Sequence, residues 1–336
     1  MQAVIRSSLA ALVAVTLAAC GAGASASTPP RTGTQTQTAT QTATQTATNS
    51  AETTTAPAFL PGTGRPPVTI GDKNFTEEFI LGELYGQALT AQGFAVSLNK
   101  NIGSTQVTTQ ALQDGQLDMY PEYVGTFNTD VADNPRTFTN AREAFSAAQR
   151  YAVAHGLRLL RPTPFSDTDA IAVLASYGAE HHLRGIADLS RVQSDLALGA
   201  PPQFADSQTG LLGMQSVYGV TPAHVQPEAI GLQYQALQSG SVQAADVFTT
   251  DGELASGQYQ LLNDPARLFG FGNVVPVVTQ AALLSEGPAF AHTIDSVSAQ
   301  LTTAAMRQLN ADVNIYNMTP ADAAKQFLLA HGLLSG

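Results

Sequence analysis

The chain has 336 residues, of which 12% are charged, and a formal net charge of -11. That length accommodates two compact lobes with real hydrophobic cores. The acidic, sparsely charged composition, with no basic stripe or Arg-rich run, excludes a nucleic-acid partner and fits a binding protein or an enzyme acting on small molecules.

At the N-terminus Arg6 precedes the apolar run LAALVAVTLAAC, too short to span a bilayer and proportioned like a signal peptide. The run ends in Leu17, Ala18, Ala19 and Cys20, which resembles the lipobox of bacterial lipoproteins. That resemblance implies removal of residues 1–19 and a diacylglycerol on the Cys20 sulfur; the other reading is an ordinary cleaved signal with an incidental cysteine. Cys20 is the only cysteine, so an intrachain disulfide is impossible. Two acyl chains suffice for stable anchoring. Residues 20–65 are dominated by a Thr-Gln-Thr-Ala repeat without large apolar side chains, with prolines at both ends. Such a segment buries too little surface to offset chain entropy and reads as a disordered tether. The folded part is expected to start near Pro66.

PVTIG, residues 67–71, predicts a short strand running into a helix. Asn74 is placed to cap that helix with Glu77 completing a capping box. Ile80, Leu81, Leu84, Tyr85, Ala88 and Leu89 keep one helical face apolar, and Gly93 is placed to stop it. A strand and turn follow in FAVSLNKNIG, a helix in STQVTTQALQDG, and a strand ending in a loop in QLDMYPEYVGT. Further strands fit LRLLRPTPF, DAIAVLAS, DLALGA, AADVFTT, QYQLLND and NVVPVVT. Helices fit residues 141–155, 207–218, 230–239, 288–309 and 320–331, the last capped by Thr319 with Pro320 in its first turn.

Strand-helix alternation at this spacing predicts an α/β protein with βαβ units, mostly parallel pairing and room for two sheets. Ligands of open α/β sheets lie at the carboxyl ends of strands and at helix N-termini. That rule points to residues 73–74, 103–105, 120–126 and 248–251. Catalytic signatures are missing: the histidines are scattered, and there is no HExxH, no phosphate loop and no nucleophile elbow. Asp118 and Glu122 could form an acid/base pair, although strand-end acids are more often solvated or bonded to backbone. The expectation is a non-enzyme without metal or cofactor.

VTIGDKNFTEEFILGELYGQAL, NIGSTQVTTQALQDGQLDMYPEYVGT, YQALQSGSVQAADVFTTDG and MRQLNADVNIYNMTPADAAKQFLLAHGLL together resemble the substrate-binding proteins of osmoprotectant ABC transporters, the receptors for glycine betaine, choline and related quaternary amines. The resemblance runs in order from Val68 to the C-terminus. It implies a two-lobed, periplasmic-binding-protein-like (type II) α/β fold with two hinge strands. The chain would cross out of lobe one near Asp169 and return near Asn273, so that lobe one comprises residues 66–169 and 273–336 and lobe two residues 170–272. The implied partners are a small cationic or zwitterionic solute, an ABC permease with its ATPase, and the membrane through the lipid anchor. The implied protein is an extracytoplasmic monomer, lipid-anchored to the cell membrane.

The family site combines an aromatic cage for trimethylammonium with a lysine, an arginine and a threonine for a carboxylate. Carried over, the lysine falls on Lys73, beside Asn74, the threonine on Thr126, and one cage tyrosine on Tyr123; Tyr120 is assigned to packing. Elsewhere the pattern is broken. The segment that reads Asn-Thr-Tyr in relatives is SDTDA here, which brings in Asp167 and puts Asp169 in place of a cage tyrosine. A second tyrosine becomes Phe248, the arginine position falls on Ser207, and the aromatic after it on Leu211. A further cage position lies near Gly272 or Asn273, where Phe271 could substitute. Loss of the arginine removes a bidentate carboxylate grip, and Asp169 adds negative charge. The ligand is therefore expected to be cationic with less anionic character than betaine: choline, or an amine or guanidinium compound bonded to Asp169. Ergothioneine stays open, as does Asp169 facing solvent or pairing with Arg161. A sensor or scavenger of the same fold is the alternative to a transport receptor.

Overall fold

A computed structural model describes residues 59–335. The expected signal segment, Cys20 and most of the expected tether lie outside the described residues. Packing begins ahead of Pro66, because the Gly62 amide donates to the Gln92 carbonyl at 2.9 Å and Arg65 Nη1 to the Ser285 carbonyl at 2.8 Å.

Among the described residues, ten strands form two five-stranded sheets. The first contains β1 (Val68–Gly71), β2 (Val96–Asn99), β3 (Met119–Tyr123), β4 (Leu157–Leu159) and β10 (Val274–Thr279), in the order β2-β1-β3-β10-β4. The second contains β5 (Asp169–Leu174), β6 (Ala197–Ala200), β7 (His224–Pro227), β8 (Ala244–Phe248) and β9 (Tyr259–Leu261), in the order β7-β6-β8-β5-β9. Pairing is parallel between β1 and both β2 and β3, and between β6 and both β7 and β8. It is antiparallel wherever β5 or β10 takes part. The sheets are thus mixed rather than mostly parallel. In each, the fourth strand is the one that begins just after the chain changes sheets, and it enters against the direction of its neighbours.

The two connecting segments touch where they pass. Ser166 and Asn273 form an antiparallel bridge, the Asp167 amide donates to the Gly272 carbonyl at 2.9 Å, and the Gly272 amide donates to Ser166 Oγ at 2.9 Å.

Helix α1 (Thr76–Ala91) buries Ile80, Leu81, Leu84, Tyr85, Ala88 and Leu89 in a core shared with β1 and with C-terminal helices. Gly93, at a φ of +85°, turns the chain away from it. The other face of the first sheet is covered by α2 (Thr105–Gln113) and α4 (Ala141–Ala154), with Tyr120 fully buried and bonded to Thr109 at 2.9 Å. Between them the chain after β3 coils through α3 (Val124–Thr126) and a wider turn, Phe127–Val131, where a loop was expected. The second sheet carries α5 (Ala175–Glu180), α6 (Leu211–Tyr218) and α7 (Gln233–Ser239).

The helix expected over 288–309 is two, α9 (Pro288–Ser298) and α10 (Thr303–Asn314), after the short α8 (Gln280–Glu286). Leu301, fully buried between them, accepts the Phe165 amide at 3.1 Å. Helix α11 (Pro320–Ala330) starts at Thr319, whose hydroxyl accepts the Asp322 amide. Among the described residues no helix is long and apolar enough to cross a membrane.

Candidate functional site

A cavity of about 810 Å³ is lined from both sheets, within the roughly 300–1,000 Å³ typical of small-molecule sites. Lys73, Asn74, Tyr123, Thr126, Asp167, Asp169 and Phe248 all line it, as does the 103–105 turn. Ser207 and Leu211 do not. Thr209 reaches the cavity instead, with its amide bonded to Ser207 Oγ at 3.1 Å.

The mouth of α1 is built differently from a capping box. The N-cap is Phe75, extended at φ -146°, and no side chain caps the helix. Asn74 sits in the loop before it, on the cavity wall. Glu77 turns inward: its Oε1 accepts the Tyr123 hydroxyl and its Oε2 accepts Asn310 Nδ2, each at 2.8 Å. Asn310, on α10, also donates to the Thr250 carbonyl at 2.9 Å, which ties the turn after β8 to α1. Burial raises the Glu77 pKa, partly offset by these hydrogen bonds.

Lys73 is the only Lys or Arg among the buried described residues. Its Nζ lies 2.5 Å from Glu122 and 3.8 Å from Glu78. Burial opposes its charge, but these two carboxylates outweigh that, and its pKa is raised. The ammonium also stands 4.7 Å from the centre of the Tyr123 ring and 5.6 Å from that of Phe75, and the two rings stack at 6.1 Å. Lys73 thus faces the cavity with a charge already committed to the protein. Glu122 accepts Lys73 and the Tyr123 amide, and Asp118 accepts the Thr69 amide. These acids are held by backbone amides and by Lys73.

Beyond Lys73, the exposed Arg136, paired with Glu143, and Arg267 also line the cavity, and carboxylates outnumber them. Glu77, Asp167, Asp169 and Asp251 line the cavity, and Asp246 lies beside them in β8. Burial pushes Asp169 and Asp251 up to about 6 and, with Asp169 nearby, Asp246 to about 9. Burial, with Glu77 nearby, also holds Asp167 well above the usual carboxylate range. Asp169 is half-buried, and Arg161 pairs with Asp295, not with it. The cavity combines aromatic faces with surplus carboxylates, a surface that binds organic cations by cation-π and charge attraction.

Phe75, Asn310 and Asp246 were not singled out by the sequence, and Glu77 was read only as a capping acid. Phe75 had a signal, an aromatic next to the candidate lysine that breaks the polar run of the loop. Glu77 sat where a capping acid is expected. Asn310 and Asp246 gave none, because they join the site only through long-range packing.

Residues 66–330 match the family model described as the substrate binding domain of an ABC-type glycine betaine transport system. The glycine-betaine-binding protein of Pseudomonas aeruginosa strain PAO1 is 32% identical over 276 residues, covering 79% of this chain and 88% of that protein. The glycine betaine-binding protein YehZ of Escherichia coli K12 is 29% identical over 285 residues, 81% of this chain and 93% of its own. Its apo structure aligns with a TM-score of 0.69 at 28% identity, over 80% of this chain and 99% of that one. A glycine betaine/carnitine/choline ABC transporter structure aligns with a TM-score of 0.75 at 24% identity, over 80% of this chain and 100% of that one. The fold is the two-lobed type II arrangement of periplasmic binding proteins.

Proposed function

Because the chain belongs to the family of substrate-binding domains of ABC-type glycine betaine transport systems, we propose that it captures a small cationic or quaternary-ammonium solute of glycine betaine or choline type and hands it to the permease of an ABC importer. The family is one of transport receptors, not of enzymes. The observation that carries the reading is the cavity itself, lined from both sheets by aromatic rings and carboxylates. A solute contacting both walls favours the closed arrangement by the difference between its contacts in the two states. The sheet membership of the strands supports a division into lobe one (66–169 with 273–336) and lobe two (170–272), with residues 166–169 and 271–273 as the hinge.

The receptor works outside the cytoplasm as a monomer. Cys20 carries its lipid anchor, and the Thr/Gln-rich segment is its tether. On the site, Tyr123, Phe75 and Phe248 supply faces for the cation, while Asn74 and Thr126 supply polar contacts. Lys73 holds the Tyr123 end of the wall in place.

A thermal-shift series with choline, glycine betaine, carnitine, ergothioneine, arginine, agmatine and putrescine tests the solute class. A ligand at a hundred times its Kd adds about 2.7 kcal/mol of stability. At least one of these solutes is expected to raise Tm; no shift with any of them rejects the solute class.

A further inference from the structure

Asp169 and Asp246 are brought together by strand register. In the antiparallel pair of β5 and β8, Asp169 stands opposite Phe248 and Ile171 opposite Asp246. Opposite residues share a face, as do residues two apart on one strand. Asp169 and Asp246 are therefore diagonal neighbours on one face, within reach of a single polar group.

Neither carboxylate is used by the described residues. Among the described residues no donor bonds the side chain of Asp169 or Asp246, and no Lys, Arg or His pairs with either. Asp246 is 6% exposed, and its Oδ1 is buried without a partner. A buried, unpartnered carboxylate beside a second one is costly, and natural interiors rarely keep such a group without use. Two other acids show the contrast: the half-buried Asp251 accepts Tyr234 and the Phe248 amide, and the buried Glu122 accepts Lys73. Asp169 opens on the cavity beside Phe248, so its unused acceptors meet the space assigned to the solute, with Asp246 next to it on the same sheet face.

We infer that Asp169 and Asp246 form a subsite for a cationic group bearing N–H donors, a protonated amine or a guanidinium, in preference to a fully methylated ammonium. This rests on the proposed solute-binding role and specifies the chemistry of the lobe-two wall. A trimethylammonium group offers these oxygens no hydrogen-bond donor, whereas a primary ammonium offers three and a guanidinium up to five. Burial raises both carboxyl pKa values, with Asp169 and Asp251 adding to the rise at Asp246, and a donating cation supplies the missing positive partner.

The test is isothermal titration of the full chain with pairs that differ only in N-methylation, ethanolamine against choline and glycine against glycine betaine, and with agmatine. The expected result is at least tenfold tighter binding of the N–H member of a pair, or of agmatine over choline. Asp169→Asn and Asp246→Asn should each reduce that preference at least fivefold, while circular dichroism and Tm report that the variants fold. Should Asp246→Asn fail to fold, Asp169→Asn alone decides. Equal or tighter binding of the methylated members overturns the subsite and leaves the transport reading standing. An N–H preference unchanged in both variants overturns the assignment to these residues. No binding by any of the five overturns the subsite and the solute class together.

Discussion

The Tyr123 hydroxyl donates a 2.8 Å hydrogen bond to Glu77, a carboxylate buried in the first turn of α1. Through Asn310 the same carboxylate is connected to the Thr250 carbonyl, beyond the second sheet's β8. Tyr123 therefore has two separable duties: its ring walls the cavity against Phe75, and its hydroxyl satisfies a buried acid. Tyr123→Phe keeps the ring and orphans an oxygen of Glu77, which should cost about 1–3 kcal/mol of stability with a change in solute affinity below about threefold. Tyr123→Ala should lose the ring as well, and about tenfold or more in affinity, as a cation-π contact in a desolvated site is worth about 2 kcal/mol. Urea denaturation and titration calorimetry separate the two. Equal affinity losses in both variants would contradict the division of duties.

Lys73 and Glu122 form the buried ion pair behind that wall. Removing one partner of such a pair leaves an uncompensated charge and costs about 3–5 kcal/mol. Lys73→Met should destabilise by that amount. Lys73→Met combined with Glu122→Gln should recover more than about 1 kcal/mol of it, giving a clear coupling in a double-mutant cycle. Additive losses would mean that Lys73 is not held by Glu122 and is free for a ligand carboxylate, as the resemblance alone suggested.

The sequence made the buried face of α1 legible because its apolar residues recur at helical spacing and all six are buried. It misread the start of that helix, since Asn74 and Glu77 sit at ideal capping spacing but are drawn to the cavity and to Tyr123 respectively. Strand β7 was missed because HVQP has neither alternation nor an apolar run; its pairing with β6 holds it in the sheet. Mixed pairing could not be read locally either, as it arises where β5 and β10 enter their sheets after a crossing. At the site, residues adjacent to a motif, such as Asp169, were legible. Asp246 was not, because only register against β5 gives it a neighbour.

Gly272 lies where the connecting segments pass, and a Cβ there would stand 1.6 Å from the Asp167 carbonyl oxygen. No side-chain adjustment relieves a clash with backbone. Gly272→Ala should therefore force the segments apart, breaking the hydrogen bonds of Asp167 and Ser166 to this residue. A loss of about 3 kcal/mol or more is expected, at the upper end for overpacking, read as a lower urea midpoint. Wild-type stability in this variant would show that the connecting segments can spread without cost.

The buried acids give stability a definite dependence on pH. Burial pushes Asp169, Asp251 and Asp72 up to about 6, Glu78 to about 8 and Asp246 to about 9, from ordinary values of 3.8 for Asp and 4.5 for Glu. Between the unfolded and folded values the native state holds more protons than the unfolded chain. Stability must then fall as pH rises. Each group's contribution is complete below its unfolded pKa and is lost as pH passes the folded one. Lys73, whose pKa is raised, stays charged in both states through this window and adds no slope. The solute-free protein should thus show a higher Tm near pH 5 than near pH 9, with the decline spread across the interval. A saturating cation should flatten it, because binding favours the ionised carboxylates of the cavity. Differential scanning calorimetry from pH 5 to 9, with and without agmatine, measures both effects. A Tm that rises with pH in the solute-free protein would mean that these carboxylates are compensated in the folded state.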